Sequence, residues 1–493
     1  MNRINLHINN RFHPVQIKRL QTKSKIAHLM VNESGFNHFE YIDFIATLFV
    51  SCFYHMKHIQ KNGHHILIIG GGAAGLALAS NLGRQFKRNN HVSITLVDQQ
   101  LTHIWKPLLH EVAAGSFDPN VNEISFLAQA KRCGFNFRLG SLSRIKRSNK
   151  EIVLAPITGD DGELLSAERK LSYDTLVIAV GSISNDFGVP GVDQYCLYLD
   201  TTIQAENFHR RLVQTYTQIF AADKPLNDGK LNITIIGAGA TGVELAAQLR
   251  QIADLLDSYM DITGQSVDIQ VSIIEGTDRI LPALPEYLSS ATATQLKKLG
   301  IAIYTSERVT EVTKHFVNTA SGKQIPCNIP VWAAGIMAPA VLQDTEGLEY
   351  NRINQLLVSG TLQTTLDENI FALGDCAACE WHDGKLIPPR AQSAHQQATL
   401  LAKSLKLRIN NLPLPEFSYS DYGSLISLGN YSTVGNLMGK AIKNVRIEGM
   451  IARLVYLSLY KMHQVSLFGY VRTALFTLSN LFRRSVHPEI KLH

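Results

Sequence analysis

The stretch His65-Ile-Leu-Ile-Ile-Gly70-Gly-Gly72-Ala-Ala-Gly75-Leu-Ala-Leu-Ala79 decides the fold. Its apolar start predicts a buried strand, its glycines predict a tight turn, and its Ala- and Leu-rich end predicts a helix. Gly70 allows the turn, Gly72 lets a pyrophosphate approach the backbone, and Gly75 lets the helix pack on the strand. The diphosphate would lie at the helix N-terminus, where free N–H groups and the helix dipole favour anions.

The next predicted strand, Val92–Val97, is followed by Asp98, 23 residues after Gly75. A carboxylate at this place can accept both ribose hydroxyls of an adenosine. A structural glycine turn gives the same glycine spacing, so the spacing alone is weak evidence. The strand, turn, helix and acid in this order predict a dinucleotide site.

A second stretch repeats the pattern, Ile233-Thr-Ile-Ile-Gly237-Ala-Gly239-Ala-Thr-Gly242-Val-Glu244, and a strand ending in Glu275 follows. Glu275 would repel a 2′-phosphate, which favours NAD(H) over NADP(H), although Arg279 four residues on weakens this inference. Two such sites rarely serve two identical cofactors. Their order predicts FAD in the first and NAD(H) in the second, with hydride passing between nicotinamide and flavin.

Two further segments support an FAD site. The run Asn369–Asp375 predicts a buried strand that ends in Gly374 and Asp375. Asp375 would lie at the carboxyl end of a sheet strand, where it can accept a ribityl hydroxyl or cap a helix. The run Tyr173–Gly181 predicts the other strand that completes such a domain.

Length and composition limit the possible architectures. The chain has 493 residues, more than the ~300 that one core supports, so two or three domains are expected. A hydrophobic fraction of 45% and a charged fraction of 18% exclude disorder, collagen and coiled coil as the dominant class. The net charge of +6 divides into +5 on residues 1–61, −4 in the middle and +5 on residues 445–493. This pattern argues against nucleic-acid binding and favours a membrane surface.

The N-terminal segment and the cysteines indicate the cellular compartment of the protein. Six cysteines do not suggest a disulfide scaffold, so a reducing compartment is expected. No apolar run reaches the ~18 residues of a spanning helix, the nearest being Phe44–Tyr54. The basic leader before Glu33 fits a mitochondrial transit peptide, or else translation starts later, at Met30 or Met56.

With these motifs the chain resembles the two-dinucleotide-fold flavoproteins, which are glutathione-reductase-like. Within them it resembles the type II NADH:quinone oxidoreductases, single-subunit enzymes that do not pump protons, and in particular the respiratory enzyme of enteric bacteria. The resemblance runs from about residue 63 to the C-terminus, and residues 1–55 have no counterpart. It is carried by His103–Glu111, Gly181–Phe187, Ala333–Ile336, Pro389–Gln396 and Ala452–His463.

The segment Ala391-Gln392-Ser-Ala-His395-Gln396 is the most discriminating part of the resemblance. Pro389 predicts a helix start, and Gln392 and Gln396 then share one helix face. The resemblance implies that Gln392, His395 and Gln396 belong to a quinone pocket beside the flavin. A polar helix face that is only packed near the flavin, or is exposed, is the alternative.

The resemblance implies further site residues. Glu244 would lie between nicotinamide and flavin and act in catalysis, unless it is only an acid at a helix N-terminus. Lys106 and Pro107 resemble a loop that touches the isoalloxazine ring, unless they form an ordinary turn. The residues implied for FAD are Gly70, Gly72, Ala73, Ala74, Gly75, Asp98, Lys106, Gly181, Asp375 and Gln392. Those implied for NADH are Gly237, Gly239, Ala240, Thr241, Gly242, Glu244, Glu275, Ala334 and Gly335.

Cys376 and Cys379 form the C-x-x-C pair of the sequence. A redox-active disulfide would make the chain a flavin disulfide reductase, and a zinc site would need two more close ligands. The position of the pair after Asp375 favours a third interpretation, two small buried residues on a helix, and no metal is expected. Sulfide:quinone oxidoreductases share the fold, but the other cysteines do not fit polysulfide chemistry.

The C-terminal region contains an amphipathic pattern. Apolar residues recur at helical spacing from Phe468 through Val471, Leu475 and Leu478 to Phe482, and no acid occurs between Gly449 and Phe482. The polar side of this helix is expected to carry Thr473, Thr477, Asn480 and Arg484. Such a helix can lie in a membrane interface and attract anionic headgroups. A core or dimer-interface helix is the alternative.

The expected architecture is α/β, with two Rossmann-like domains and a C-terminal membrane-binding helical region. We expect an extension at 1–61, an FAD-binding domain at 62–200 and 328–412, an NAD(H)-binding domain at 201–327, and a membrane-anchoring region at 413–493. The expected partners are a membrane quinone, an anionic lipid surface and a second copy of the chain in a homodimer, and no nucleic acid is expected. The expected location is the cytoplasmic face of a bacterial inner membrane, or the mitochondrial inner membrane if the leader is a transit peptide.

Overall fold

A computed structural model describes residues 63–159, 161–220, 230–260, 267–382, 384–428, 432–437 and 445–484. The predictions about the basic leader, the apolar run Phe44–Tyr54 and a start at Met30 or Met56 lie outside these residues. The elements described below belong to the unit His64–His493.

The helices of this part of the chain are, in order, α1 Ala73–Phe86, α2 Leu109–Ala114, α3 Pro119–Asn122, α4 Phe126–Cys133, α5 Val192–Tyr195, α6 Thr202–Phe220, α7 Ala240–Met260, α8 Glu286–Lys298, α9 Ala391–Ile409, α10 Gly449–Phe468 and α11 Tyr470–Arg484. Short 3-10 turns occupy Lys106–Leu108, Ala340–Gln343 and Gly374–Cys376.

The strands are, in order, β1 His64–Ile69, β2 Val92–Asp98, β3 Thr102–His103, β4 Ile124–Ser125, β5 Asn136–Leu139, β6 Leu142–Lys146, β7 Glu151–Leu154, β8 Ile157–Thr158, β9 Leu164–Ser166, β10 Arg169–Ser172, β11 Thr175–Ile178, β12 Ile183–Ser184, β13 Lys230–Ile236, β14 Asp268–Ile274, β15 Ala302–Tyr304, β16 Val309–Val312, β17 Phe316–Thr319, β18 Gln324–Pro326, β19 Ile329–Trp332, β20 Ile336–Met337, β21 Leu356–Val358, β22 Gln363–Thr364, β23 Asp367–Ala372, β24 Ala377–His382, β25 Lys385–Leu386, β26 Gly423–Leu428, β27 Ser432–Leu437 and β28 Val445–Glu448.

The first glycine stretch follows β1, an inner strand of a sheet with the order β25-β24-β21-β22-β23-β11-β1-β2-β5. β1 pairs in parallel with β11 and β2, and β11 pairs in parallel with β23. A parallel strand covered on both faces is apolar throughout, and Ile66, Leu67 and Ile68 are accordingly fully buried. The carboxyl ends of these strands therefore bring Gly70 and Asp98 to one edge.

The second glycine stretch forms another parallel sheet, in the order β15-β14-β13-β19. The last residue of β13, Ile236, is in register with Ile274 of β14 and Trp332 of β19. The residues that follow these strands, Gly237 and Glu275 among them, therefore share one edge. The prediction of an α/β chain is confirmed, and both glycine turns follow parallel strands. The first sheet is mixed, because β22 is antiparallel to both β21 and β23.

A short antiparallel ribbon, β12–β20, joins the two sheets. Ser184 pairs with Ile336 in this ribbon. β12 follows β11 of the first sheet, and β20 follows β19 of the second, so the ribbon holds the carboxyl edges of both sheets near each other. Antiparallel sheets β10-β7-β6, β16-β17-β18 and β26-β27-β28 surround this frame.

The C-terminal region differs in detail from the sequence prediction. Gly469 adopts φ +81°, which ends α10 and separates Phe468 from the helix that carries the rest of the stripe. The apolar side of α11 is exposed: Val471 by 75%, Leu475 by 63%, Leu478 by 52% and Phe482 by 68%.

The polar side of α11 faces the protein. Thr473 is buried, and Asn480 Nδ2 donates to Asn122 Oδ1 at 3.3 Å. The amphipathic pattern is therefore present with its polar side packed against the chain and its apolar side turned outward. Among the described helices, none combines the length and the apolar character needed to cross a bilayer.

Candidate active site

A cavity of about 1490 Å³ lies along the facing carboxyl edges of the two sheets. Both glycine turns line it, and so does the face of α9 that carries Gln392, His395 and Gln396. Among the residues predicted for the two nucleotides, Gly75 and Gly242 do not line the cavity. They are needed for packing, because an added Cβ would lie 1.8 Å from Gly70 O or 2.0 Å from Gly237 O.

The first turn is shaped for a ligand. Gly70 has φ +98°, and a Cβ there would lie 2.3 Å from Ala179 O, so only glycine fits between β1 and β11. At Gly72 the position of an added Cβ has no atom within 4 Å, which leaves the backbone open to the cavity. Asp98 Oδ2 accepts the Gly71 N–H at 2.6 Å, and burial raises the pKa of this carboxyl. Asp98 therefore orients the turn from the edge of the cavity.

The second turn repeats this construction. Gly237 has φ +107°, and a Cβ there would lie 2.6 Å from Ala334 N, whereas Gly239 is open. Glu275 Oε2 accepts the Ala238 N–H at 2.9 Å. In both sheets, then, the acid at the carboxyl end of the second strand accepts the N–H of the residue after the first glycine of the turn.

A polar chain connects the loop after β3 to the Gly374–Asp375 turn. Lys106 Nζ donates to Ser182 O at 2.8 Å and lies 3.7 Å from Asp200 Oδ1. Ser182 Oγ donates to Asp375 Oδ2 at 2.8 Å. Lys106 and Asp375, both predicted for FAD, are thus held in one hydrogen-bonded group on the cavity wall.

Glu244 and His110 form a buried pair on the cavity wall. Glu244 Oε2 lies 3.7 Å from His110 Nδ1, and Glu244 Oε1 accepts the Ser427 N–H at 3.0 Å. Burial raises the pKa of Glu244 to about 8 and lowers the pKa of His110 to about 4. At neutral pH the pair is therefore a protonated acid beside a neutral imidazole rather than an ion pair.

The two glutamines of α9 share a face, as predicted, but both amides are already hydrogen-bonded to the segment 420–423. Gln392 Nε2 donates to Asp421 Oδ1 and Gly423 O, and its Oε1 accepts the Tyr422 N–H. Gln396 Nε2 donates to Ser420 O at 2.8 Å, and its Oε1 accepts the Ser420 N–H. An amide has two N–H groups, and within the described residues Gln396 uses one of them, which leaves the other for a ligand. The helix itself begins at Ala391, not at Pro389.

Sequence reasoning missed a buried histidine pair. His463 of α10 and His103 of β3 are buried, and their Nε2 atoms lie 3.0 Å apart. Trp105 packs on the His463 ring with centroids 4.2 Å apart. His463, Trp105 and Tyr460 line the same cavity as the glutamine face. No local pattern marks this contact, which joins residues 360 positions apart.

Gln397 was also missed. It is buried, and its Oε1 accepts the Gly374 N–H at 2.7 Å. This bond fixes α9 against the turn that presents Asp375. Gln392 and Gln396 belong to a recognisable motif, whereas Gln397 lies on a different face of the same helix.

The C-x-x-C pair is buried, as the third interpretation expected, but it does not lie on a helix. Cys376 ends the 3-10 turn Gly374–Cys376, and Cys379 lies in β24, where it pairs with Val358. Both thiols are free, and burial raises the pKa of each to about 11. A thiolate is the reactive form, so this environment disfavours redox chemistry. The described residues contain no cluster of three or more His, Cys, Asp or Glu side chains able to hold a metal ion.

Comparisons with known proteins identify the family of the chain. The family model of the pyridine nucleotide-disulphide oxidoreductases matches residues 64–398. A type II NADH:quinone oxidoreductase of Haemophilus influenzae is 43% identical over 443 residues, which are 87% of this chain and all of that protein. A type II NADH:quinone oxidoreductase of Staphylococcus aureus is 27% identical over 76% of this chain and 90% of that protein.

Solved structures share the fold. NDH2 from Plasmodium falciparum in complex with NADH superposes with a TM-score of 0.72 at 21% identity, covering 87% of this chain and all of that one. The sulfide:quinone oxidoreductase of Aquifex aeolicus superposes with a TM-score of 0.63 at 17% identity, covering 86% and 96%. Both glycine turns line one cavity, and a relative that is 43% identical is covered over its whole length. The chain therefore belongs to the type II NADH:quinone oxidoreductases, within the pyridine nucleotide-disulphide oxidoreductases.

Proposed function

We propose that the chain binds FAD non-covalently at the first glycine turn and NADH at the second. In this proposal it passes electrons from NADH through FAD to a membrane quinone, without pumping protons. One observation carries the proposal: two glycine turns of the same construction, each with its own acid, open onto a cavity that the glutamine face of α9 also lines. The domain boundaries at 62–200, 201–327 and 328–412 belong to the same proposal.

The residues of the first turn fit the diphosphate and ribityl chain of FAD. The open backbone at Gly72 gives the diphosphate room, and α1 presents its N-terminal N–H groups there. Asp98 would accept ribose hydroxyls, and Asp375 would accept a ribityl hydroxyl. FAD, when bound, supplies the two-electron chemistry that links nicotinamide to quinone.

In the second site the open backbone at Gly239 would take the diphosphate of NADH, with Ala334 and Gly335 on the neighbouring strand end. Glu275 follows the second strand of this sheet, where its charge would repel a 2′-phosphate, so it disfavours NADPH. The buried Glu244 carries a proton at neutral pH, and His110 lies within 3.7 Å to exchange it. Reduction of a quinone to a quinol consumes one proton beyond the hydrogen that NADH delivers, and this pair would supply it.

The quinone site would lie on α9. Gln396 keeps one N–H for a quinone carbonyl, and His395 lies one residue before it on the cavity wall. Leu459 and Met462 of α10 line the cavity and are 44% and 62% exposed, so they offer an apolar entrance. This entrance and the outward apolar side of α11 support a peripheral attachment to a membrane, which we place on the cytoplasmic face of a bacterial inner membrane.

The test is a steady-state assay of the purified full-length protein with NADH and a short-chain quinone, and NADPH as the matched control. The cofactor released by heating is identified by mass and absorbance. We expect free FAD, quinone reduction with NADH, and a much lower kcat/KM with NADPH. Release of no flavin, or equal efficiency with the two nucleotides, would contradict the corresponding assignment.

A further inference from the structure

We propose that the turn between α10 and α11 binds the phosphate headgroup of an anionic lipid through Arg84, Arg132 and Arg472. The inference rests on the membrane attachment proposed above and adds to it a specific site and a class of ligand. We call these three side chains the arginine cluster.

Two members of the arginine cluster meet at one atom. Arg84 Nη1 and Arg132 Nη2 each donate to Leu467 O at 3.4 Å, and Arg84 Nη2 donates to Ser466 O at 3.1 Å. The Arg132 guanidinium also lies 4.4 Å from the centroid of the Phe468 ring. Both guanidinium groups are therefore fixed at the carboxyl end of α10, immediately before the Gly469 turn.

Arg472 lies three residues beyond that turn and is exposed. Burial lowers the pKa of Arg132, the neighbouring Cys133 thiol opposes this shift, and the positive charges of Arg472 and Arg84 add to it. The charges of Arg84 and Arg472 therefore both act on Arg132, at the point where the chain turns from α10 into α11.

Negative charge is missing from the elements around the cluster. The helices α1, α4, α10 and α11 together contain eight Lys or Arg residues and no Asp or Glu. The carboxyl end of α10 offers only about half a negative charge. A phosphate group would relieve the repulsion, and guanidinium groups bind phosphate with paired N–H groups.

The surface beside the cluster selects the source of that phosphate. Tyr470 and Val471, which directly precede Arg472, are 82% and 75% exposed. The outward apolar side of α11 continues from them. A lipid presents a phosphate and an acyl chain together, whereas free phosphate would leave these side chains in water. The observations therefore favour an anionic phospholipid.

The experiment measures sedimentation of the full-length protein with two kinds of vesicle, phosphatidylcholine alone and phosphatidylcholine mixed with phosphatidylglycerol. The wild type should prefer the mixed vesicles, and Arg472→Gln should lose about fivefold in affinity for them, the loss expected for one cation near an anionic surface. Binding of Arg472→Gln to pure phosphatidylcholine should stay unchanged. Arg472→Lys keeps the charge and should retain most of the preference.

The matched control is Arg352→Gln, which removes an exposed arginine from the turn before β21. It should leave binding to both vesicles as in the wild type. Equal losses in Arg352→Gln and Arg472→Gln would overturn the site and leave membrane attachment standing, since net charge would then explain the preference. A wild type that binds neither vesicle would instead reject the attachment itself. Saturable binding of inorganic phosphate without a vesicle preference would overturn the choice of a lipid.

Discussion

Glu244 Oε2 lies 3.7 Å from His110 Nδ1, with both side chains buried between α7 and α2. The raised pKa of Glu244, about 8, and the lowered pKa of His110, about 4, leave both groups uncharged at neutral pH. A neutral acid beside a neutral base costs less to bury than two charges and can still move a proton. The pair connects the stability of the fold to the proposed chemistry.

The first prediction concerns stability against pH. The native state holds the Glu244 proton that the unfolded chain releases above its ordinary pKa of 4.5. Between pH 4.5 and about 8 the contribution of this proton to the free energy of unfolding therefore falls as pH rises. The slope is at most about 1.4 kcal/mol per pH unit. His110 contributes no slope above 6.5, because it is neutral there in both states.

Glu244→Gln should therefore gain stability over the wild type as pH rises from 6.5 to 8, measured by thermal unfolding of the FAD-loaded protein. Glu286→Gln, at an exposed position on α8, is the control and should keep a constant difference from the wild type. Parallel curves for Glu244→Gln and the wild type would contradict a buried protonated acid.

The second prediction concerns rate. Glu244→Gln keeps the side-chain shape and an acceptor for the Ser427 N–H but cannot exchange a proton. We expect kcat for quinone reduction to fall roughly 10²-fold, with flavin content unchanged. Stopped-flow and steady-state kinetics measure this loss. A kcat within about twofold of the wild type would mean that Glu244 has only a structural role.

The third prediction separates the two nucleotide sites with a matched pair of variants. Gly72→Ala and Gly239→Ala each place a methyl group where no protein atom lies within 4 Å, so both should fold. Gly72→Ala should weaken FAD binding at least about tenfold, and Gly239→Ala should raise KM for NADH by a similar factor, since about 1.4 kcal/mol of lost contact is tenfold. Flavin content and KM report the two effects. Loss of flavin in Gly239→Ala alone would reverse the assignment.

The fourth prediction addresses the quinone site. Gln396→Ala removes the free amide N–H and should lower quinone reduction about tenfold, the effect of one lost hydrogen bond to a ligand. Reduction of the flavin by NADH should keep its rate, measured by anaerobic stopped flow. Equal loss of both half-reactions would show that Gln396 only holds Ser420 in place.

The fifth prediction addresses the apolar side of α11. The double variant Leu475→Gln and Leu478→Gln keeps the helix and its inward polar contacts but removes two exposed leucines worth about 1.5–3 kcal/mol each when buried. The variant should no longer sediment with phosphatidylcholine vesicles, and the rate at which NADH reduces its flavin should stay unchanged. Leu366→Gln, at an exposed leucine in the turn before β23, should sediment like the wild type.

Local patterns predicted what depends on local structure. The buried strands β1 and β13, their glycine turns and the acids Asp98 and Glu275 follow from spacing, because parallel strands bring their carboxyl ends to one edge. The helical spacing of Gln392 and Gln396 likewise predicted a shared face. The partners of these amides, in the segment 420–423, could not be predicted, because nothing in the motif identifies a backbone some 24 to 31 residues away.

Long-range contacts were not predictable from one sequence. The contact of His103 with His463 depends on where α10 packs, and no pattern in either segment indicates the other. The stripe on α11 showed that the helix has two unlike sides, but not which of them contacts the protein. Thr473 and Asn480 settle this through their burial and hydrogen bonding. The turn at Gly469 likewise separated Phe468 from a stripe that spacing alone made continuous.

The central claim is that electrons from NADH reach the quinone through a flavin in this chain. The most direct measurement is anaerobic absorbance spectroscopy of the purified protein, with NADH and then quinone added in sequence. The account predicts that NADH bleaches the visible flavin band and that quinone restores it, with NADPH bleaching it far more slowly. A flavin band that NADH leaves unchanged, or that quinone fails to restore after bleaching, would contradict the account.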